Sequence, residues 1–137
     1  MFLSGCSWVR NFLIINTSSK PIDITLSVNI PPKGFYIFTQ ELTFYKTSSS
    51  GKIKWEKTLT PNVEMVNKTT SSFKLEPNAC VIIGRLHNVE YTDHNQKFIN
   101  DKVFNLDYLT IDTLKIIPEN FDNLFKKTRQ GIVYLVD

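Results

Sequence analysis

Side chains able to bind a metal ion are concentrated in one polar stretch, His87 to Lys102. Imidazole and carboxylate groups are ligands for zinc and other divalent ions. The candidates are His87, Glu90, Asp93, His94 and Asp101. Their spacing lacks the short His or Cys pairs that are typical of zinc sites, and polar residues are equally usual in a solvated loop. We therefore expect no cofactor, and keep as the alternative function a metal-dependent binding module or a hydrolase that uses the 87–101 loop.

Nucleophilic catalysis has little support in the residue types. A serine nucleophile needs a general base within reach, and the chain has two histidines and no Gly-x-Ser-x-Gly motif. Cys80 lies in the apolar run from Asn78 to Ile83, where a buried thiol behaves as a small hydrophobic side chain. A disulfide between Cys6 and Cys80 is an open alternative if Cys6 is unmodified. We expect that the protein is not an enzyme.

Alternation of apolar and polar residues is clearest from Ile22 to Ile30. Because alternate side chains of a strand point to opposite faces, this segment predicts a strand with one buried and one solvated face. The apolar segment from Trp8 to Asn16 precedes it across a turn-rich run, and we expect the two to form an antiparallel pair. Pro31-Pro32 and Pro77 each separate two apolar strands and indicate corners of the fold.

One short helix is expected near residues 119–127, after Pro118. Its apolar residues recur at the spacing i, i+3 and i+4, its acids lie in the first turn and its lysines in the last, as the helix dipole favours. Elsewhere, roughly nine or ten short strands at regular spacing predict a mainly β fold. The expected architecture is an antiparallel β-sandwich, Ig-like or related. A chain of 137 residues can bury one core without a disulfide or metal.

The N-terminal motif Leu3-Ser4-Gly5-Cys6 has an aliphatic residue, two small residues and a cysteine. It resembles the cleavage site of bacterial lipoprotein signal peptides. This resemblance, which covers four residues, implies that residues 1–5 are the remnant of a signal peptide and that Cys6 carries a lipid. Only Met1 and Phe2 precede the motif, whereas a complete signal has an apolar region of about 7–15 residues. The signal would therefore begin upstream of Met1; the alternative is an accidental match in a cytosolic protein.

The same resemblance implies a location for the mature chain, residues 6–137, which we expect to form a single β-sandwich domain. A lipid on Cys6 would tie it to the bacterial cell envelope. Because Ser7 rather than aspartate follows Cys6, sorting as in enteric Gram-negative bacteria implies the outer membrane, with the domain facing the periplasm. No run approaches 18 consecutive apolar residues, so we expect the lipid to be the only membrane anchor.

Charge and aromatic content narrow the partners. The net charge of +3 comes from 16 basic and 13 acidic residues spread along the chain, without the basic stripe that nucleic-acid binding requires. Aromatic residues are concentrated in the first half, where most are expected in the core, and outward ones could form a recognition surface. The candidates for that surface are Tyr36, Tyr45 and Trp55. The expected function is a lipid-anchored, non-catalytic module, of the inhibitor or immunity type, that binds a protein or an envelope polymer.

Overall fold

Two β-sheets make up most of the molecule. The computed structural model describes residues 8–30 and 35–137. The first sheet has six strands in the order β10-β11-β1-β7-β3-β4 and the second has five in the order β5-β6-β2-β8-β9. The strands are β1 (Val9–Asn16), β2 (Ile22–Val28), β3 (Phe38–Thr47), β4 (Ile53–Leu59), β5 (Val63–Asn67), β6 (Thr70–Leu75), β7 (Ala79–His87), β8 (Leu106–Ile111), β9 (Leu114–Ile116), β10 (Lys126–Lys127) and β11 (Ile132–Val136). The mainly β, sandwich-like fold with one short C-terminal helix is confirmed.

The expected pairing of β1 with β2 is wrong, because the two strands lie in different sheets. β1 lies between β7, which it pairs in antiparallel fashion, and β11, which it pairs in parallel. β2 lies between β6 and β8. The physical reason is the difference in their burial. Leu13 and Ile14 point to opposite faces of β1 and are both fully buried, so β1 needs cover on both faces, whereas Asp23 of β2 faces solvent.

The expected corner at Pro77 is confirmed. β6 belongs to the five-stranded sheet and β7 to the six-stranded one, so the chain changes sheets between Leu75 and Ala79. Asn78 adopts a φ of 58°, a left-handed conformation that asparagine tolerates better than most residues, and its N–H donates to the carbonyl of Asn16 at 2.7 Å. The other expected corner, Pro31-Pro32, lies outside the described residues.

The helix α1 is shorter than the sequence suggests. It runs from Pro118 to Leu124, and the expected continuation to residue 127 is wrong. Phe125 is extended and buried, and the lysines after it pair with β11 as the short strand β10. Strand pairing therefore takes the backbone groups that a last helical turn would have used, while both lysine side chains stay exposed. No helix within residues 8–30 and 35–137 is long and apolar enough to cross a membrane.

The main core lies between the two sheets and is rich in phenylalanine. Phe12, Phe38 and Phe121 are fully buried, and their ring centroids lie 5.3–6.0 Å apart. Asn105 ties the sheets together at the edge of this core. Its side chain accepts from the N–H of Phe38 at 2.8 Å and donates to the carbonyl of Asn29 at 2.9 Å, so one buried amide bridges the two layers.

The two faces of β2 give a direct test of this packing. Leu26 is 1% exposed, whereas Thr25 is only partly buried. We expect Leu26→Asp to lower the free energy of unfolding by more than about 4 kcal/mol, because it buries an unpaired charge. Thr25→Asp is the matched control and should cost less than about 1 kcal/mol. Urea unfolding measures both, and equal effects would contradict the assignment of faces.

Candidate functional site

The candidate metal ligand Glu90 is instead part of an ion-pair network. The Arg10 guanidinium donates to both of its carboxylate oxygens, at 2.9 and 3.1 Å, and Lys127 lies 3.4 Å away. The hydrogen bond from Arg10 is the main reason that the pKa of Glu90 is lowered. The network links β1, the 88–105 segment and β10. At this exposed position it serves orientation more than stability.

His94 is also held by a partner that sequence reasoning did not find. Its backbone N–H and its ring Nδ1 contact Asp122 Oδ2 at 3.0 and 2.7 Å, while the buried Tyr91 hydroxyl donates to Oδ1 at 2.5 Å. Burial acts to raise the pKa of Asp122, but the hydrogen bonds from Tyr91 and His94 outweigh it, so the pKa is lowered. Burial and the Asp122 carboxylate both raise the pKa of Tyr91. This cluster fastens the 88–105 segment to α1.

The five candidate metal ligands do not converge. His87 is exposed at the end of β7, and Asp93 accepts the backbone N–H of Asn95 at 2.8 Å. Asp101 ends a short 3-10 turn over Ile99–Asp101. Within residues 8–30 and 35–137, no group of three or more His, Cys, Asp or Glu side chains is arranged to hold a metal ion.

The His94–Asp122 pair orients an imidazole, as the base of a nucleophile–base pair requires. His94 lines a cavity of about 550 Å³ together with seven other residues. The lining residues are His94, Gln96, Lys97, Phe98, Asp101, Lys102, Val103 and Phe104. None of these eight residues is a serine, threonine or cysteine, the hydroxyl and thiol nucleophiles that an adjacent histidine base activates.

The three candidate recognition aromatics fall into two places. Tyr45 and Trp55 lie on β3 and β4 with ring centroids 5.1 Å apart, and Trp55 is about half exposed. Tyr36 lies elsewhere, in a bridge to Val103. Strand pairing explains the first contact, because β3 and β4 form an antiparallel hairpin. A single surface formed by all three aromatics is therefore not present.

Tyr36 instead belongs to an exposed apolar surface, which we call the entry end and define as Trp8, Phe35, Tyr36, Ile99 and Val103. Each of these side chains is at least 37% exposed, and Phe35 is 65% exposed. Backbone bonds and one cavity make the surface continuous. Trp8 and Asn88 exchange hydrogen bonds at 2.9 Å, and Val103 donates to the carbonyl of Phe35 at 2.8 Å.

A cavity of about 300 Å³ lies within the entry end. Its lining is Phe35, His87, Asn88, Ile99 and Lys102. Burial lowers the pKa of Lys102, so this cation is partly withdrawn from water while its stem lines an apolar wall. Arg10 adds a second cation nearby, with its guanidinium carbon 4.9 Å from the centroid of the Trp8 ring. The entry end therefore combines exposed aromatic and aliphatic side chains with cations.

The outer face of the six-stranded sheet carries a second apolar cluster, away from the main core. We call it the outer cluster; it consists of Leu13, Ile15, Ile53, Cys80, Ile82 and Val133, all at most 6% exposed. Burial raises the pKa of the Cys80 thiol to about 12, which leaves it an inert core residue, as the sequence predicts. Cys6, the alternative disulfide partner of Cys80, lies outside the described residues.

Gln130 joins the two chain segments that cover this cluster, the β3–β4 loop and the tip of the β10–β11 hairpin. Its side-chain oxygen accepts from the N–H of Ile53 at 2.8 Å, and its side-chain nitrogen donates to the carbonyl of Gly51 at 2.9 Å. The tip of the β10–β11 hairpin is thereby tied to the β3–β4 loop. Gly131 makes the approach possible, because its φ is 144° and a Cβ there would lie 2.3 Å from the carbonyl oxygen of Asn11.

An apolar cavity of about 520 Å³ opens beside this cover, and we call it the β11 cavity. Its apolar walls include Ile15, Leu124, Val133 and Leu135. Among residues 8–30 and 35–137, the only charged residues that line it are Lys126 and Arg129. Neither cation forms an ion pair with any residue that the structure describes. The sequence offers no signal for this site, because its walls come from four separate segments.

Comparison of the chain with protein-family models, with curated proteins and with solved structures found no match. The geometry of the sites above is therefore the evidence for function.

The Asp122 cluster predicts an acid-sensitive contribution to stability. The pKa of Asp122 is lowered in the folded state from its ordinary value of 3.8. The charged carboxylate therefore stabilises the fold at any pH above 3.8, and this stabilisation is lost as the pH falls through the folded-state pKa. We expect Asp122→Asn to lower the free energy of unfolding by about 2 kcal/mol at pH 7. The difference from wild type should shrink between pH 5 and about pH 2, as judged by urea unfolding.

Glu119→Gln on the exposed side of the same helix is the control, because Glu119 belongs to no such cluster. It should leave the pH dependence of stability unchanged. An Asp122→Asn variant with the wild-type pH dependence would show that the carboxylate is not held in its charged form.

Proposed function

We propose that the protein is a lipid-anchored, non-catalytic binding module that is held at a bacterial membrane surface through Cys6. The observation that carries this proposal is the position of Trp8, which follows Cys6 by two residues and lies in the exposed apolar entry end. Two residues span at most about 7 Å. A lipid on Cys6 therefore brings the entry end to the bilayer surface.

The chemistry of the entry end suits that surface. Tryptophan and tyrosine favour the membrane–water interface, because their rings are apolar while their polar atoms stay hydrated. Phe35 and Ile99 add apolar side chains that are more than half exposed to water, and contact with lipid would remove that area from water. Lys102 supplies a cation that favours anionic headgroups.

The lipid on Cys6 and the apolar entry end would both add to membrane binding. One acyl chain gives only marginal membrane binding, and stable anchoring takes a second signal. Bacterial lipoproteins resemble one another in carrying several chains on the cysteine, and apolar contact by the entry end would add to them. The proposed location is the cell envelope, on the outer membrane with the domain in the periplasm, as the residue after Cys6 implies.

A binding role fits the rest of the molecule better than catalysis does. None of the residues described at the His94 cavity is a serine, threonine or cysteine, and Glu90 is engaged by Arg10 and Lys127. The β11 cavity, by contrast, offers an apolar space with unpaired cations at its rim. Its natural partner is a protein or an envelope polymer rather than a small substrate that the fold would transform.

Replacing Cys6 tests the anchor. We expect Cys6→Ser, made in the full natural gene, to move the protein from the membrane fraction to the soluble fraction, because the acylated residue is gone. Cys80→Ser is the matched control and should stay with membranes, since Cys80 is buried within the fold. Unchanged fractionation of Cys6→Ser, or loss of both variants from membranes, would contradict the proposal.

Fluorescence tests the orientation, because the chain has two tryptophans at different places. In a Trp55→Phe variant bound to vesicles containing brominated lipid, Trp8 emission should be quenched at least twofold. In a Trp8→Phe variant, emission from Trp55 on β4 should be quenched far less, because Trp55 lies outside the entry end. Equal quenching of the two would show that the entry end does not face the bilayer.

A further inference from the structure

The edge of β11 is only partly covered. β10 pairs with residues 132 and 133 and no further, because α1 and Phe125 come directly before Lys126 in the chain. Val136 accepts a hydrogen bond from the N–H of Thr17, so its backbone groups point toward β1. Successive residues of a strand alternate in this direction. The N–H and C=O of Leu135 therefore point away from β1, and no element of the chain that the structure describes pairs with them.

This open edge borders the β11 cavity. Leu135 is about half exposed and forms a wall of the cavity together with Ile15 and Val133. An exposed strand edge supplies main-chain hydrogen bonds to an added strand, while an adjacent pocket accepts one of its alternating side chains. The cavity is large enough for a big aliphatic or aromatic side chain.

The charges of the residues that line the cavity favour an acidic ligand. Lys126 and Arg129 are exposed cations of the lining, and none of the described residues that line the cavity carries a carboxylate. A third cation, Lys127, is already engaged by Glu90. An acidic side chain on the bound segment would meet two unpaired positive charges, whereas a basic one would be repelled.

From these observations we infer that the open edge of β11 binds an extended peptide segment of a partner protein that carries an apolar side chain with acidic side chains two positions away, on the same face of the strand. The segment adds to β11 at Leu135, places its apolar side chain in the β11 cavity and pairs its carboxylates with Lys126 and Arg129. This inference rests on the proposed function as a binding module, and names the chemistry of the partner.

The site also suits an anchored protein. Trp8 and Ile15 lie near opposite ends of β1, and seven residues of strand span about 23 Å. A domain resting on its entry end would hold the β11 cavity away from the bilayer, where it is open to a partner. Because the cavity belongs to the folded domain, peptide binding does not need the lipid.

The test uses the Cys6→Ser protein in solution and a labelled peptide of about six residues, the usual length of a strand. The peptide carries a central valine with a glutamate two positions to either side, so that the three side chains share one face of the strand. A second peptide has lysine in place of both glutamates. We expect fluorescence anisotropy to show saturable binding of the glutamate peptide and at least tenfold weaker binding of the lysine peptide. Equal binding of the two peptides, or no binding of the glutamate peptide, would overturn the inference.

Two variants and their controls locate the binding. Ser50→Trp fills the rim of the cavity and should weaken binding at least tenfold, whereas Ser49→Trp, next in the chain but outside the lining, should not. Lys126→Glu combined with Arg129→Glu should have the same effect, whereas Lys57→Glu on the exposed part of β4 should leave binding unchanged. Circular dichroism confirms that each variant is folded. Loss of binding in the controls as well would overturn the inference.

Sedimentation distinguishes a partner peptide from a second copy of the chain. We expect the Cys6→Ser protein to be a monomer at micromolar concentration. A dimer that Ser50→Trp dissociates would show that β11 pairs with itself and would overturn the inference. Membrane fractionation of the lipidated protein is independent of these measurements, so failure of peptide binding and failure of the anchor are separate results.

Discussion

The constraint on which the structure depends is that the central strands of the six-stranded sheet need apolar cover on both faces. β1 and β7 place Phe12, Ile14 and Val81 on the inner face, while Leu13 and Ile82 lie on the outer one. The five-stranded sheet covers the inner face. In the part of the chain that the structure describes, no further sheet covers the outer face. The β3–β4 loop and the tip of the β10–β11 hairpin lie there instead, and Gln130 joins them with hydrogen bonds to Ile53 and Gly51.

This incomplete cover of the outer face explains the location of the β11 cavity. A second sheet would have closed the outer face completely, whereas one loop and a hairpin tip leave an opening beside Ile15 and Leu135. The same hairpin carries Lys126 and Arg129 to the rim. β10 starts only at Lys126 for a related reason. The residues just before it form α1 and the extended Phe125, which bury Phe121 and Phe125 in the main core. The open edge of β11 is thus a consequence of how the core is filled.

The 88–105 segment shows how far residue types mislead when their partners are distant. Its one histidine and its acids have the chemistry of metal ligands, yet Glu90 pairs with Arg10, which is 80 positions away, and His94 pairs with Asp122. Both partners lie outside the segment in sequence. An acid that is close to a histidine in sequence can therefore be directed away from it by a stronger contact elsewhere in the fold.

The sequence by itself determined the mainly β class, the solvated face of β2, the corner at Pro77 and the burial of Cys80. These follow from side-chain period and turn chemistry, which act over a few residues. The tertiary structure decided which sheet each strand joins, where the helix ends, how Tyr36 is separated from Tyr45 and Trp55, and where the β11 cavity opens. These depend on burying apolar faces that are far apart in the chain, and local patterns carry no record of which distant face will cover them.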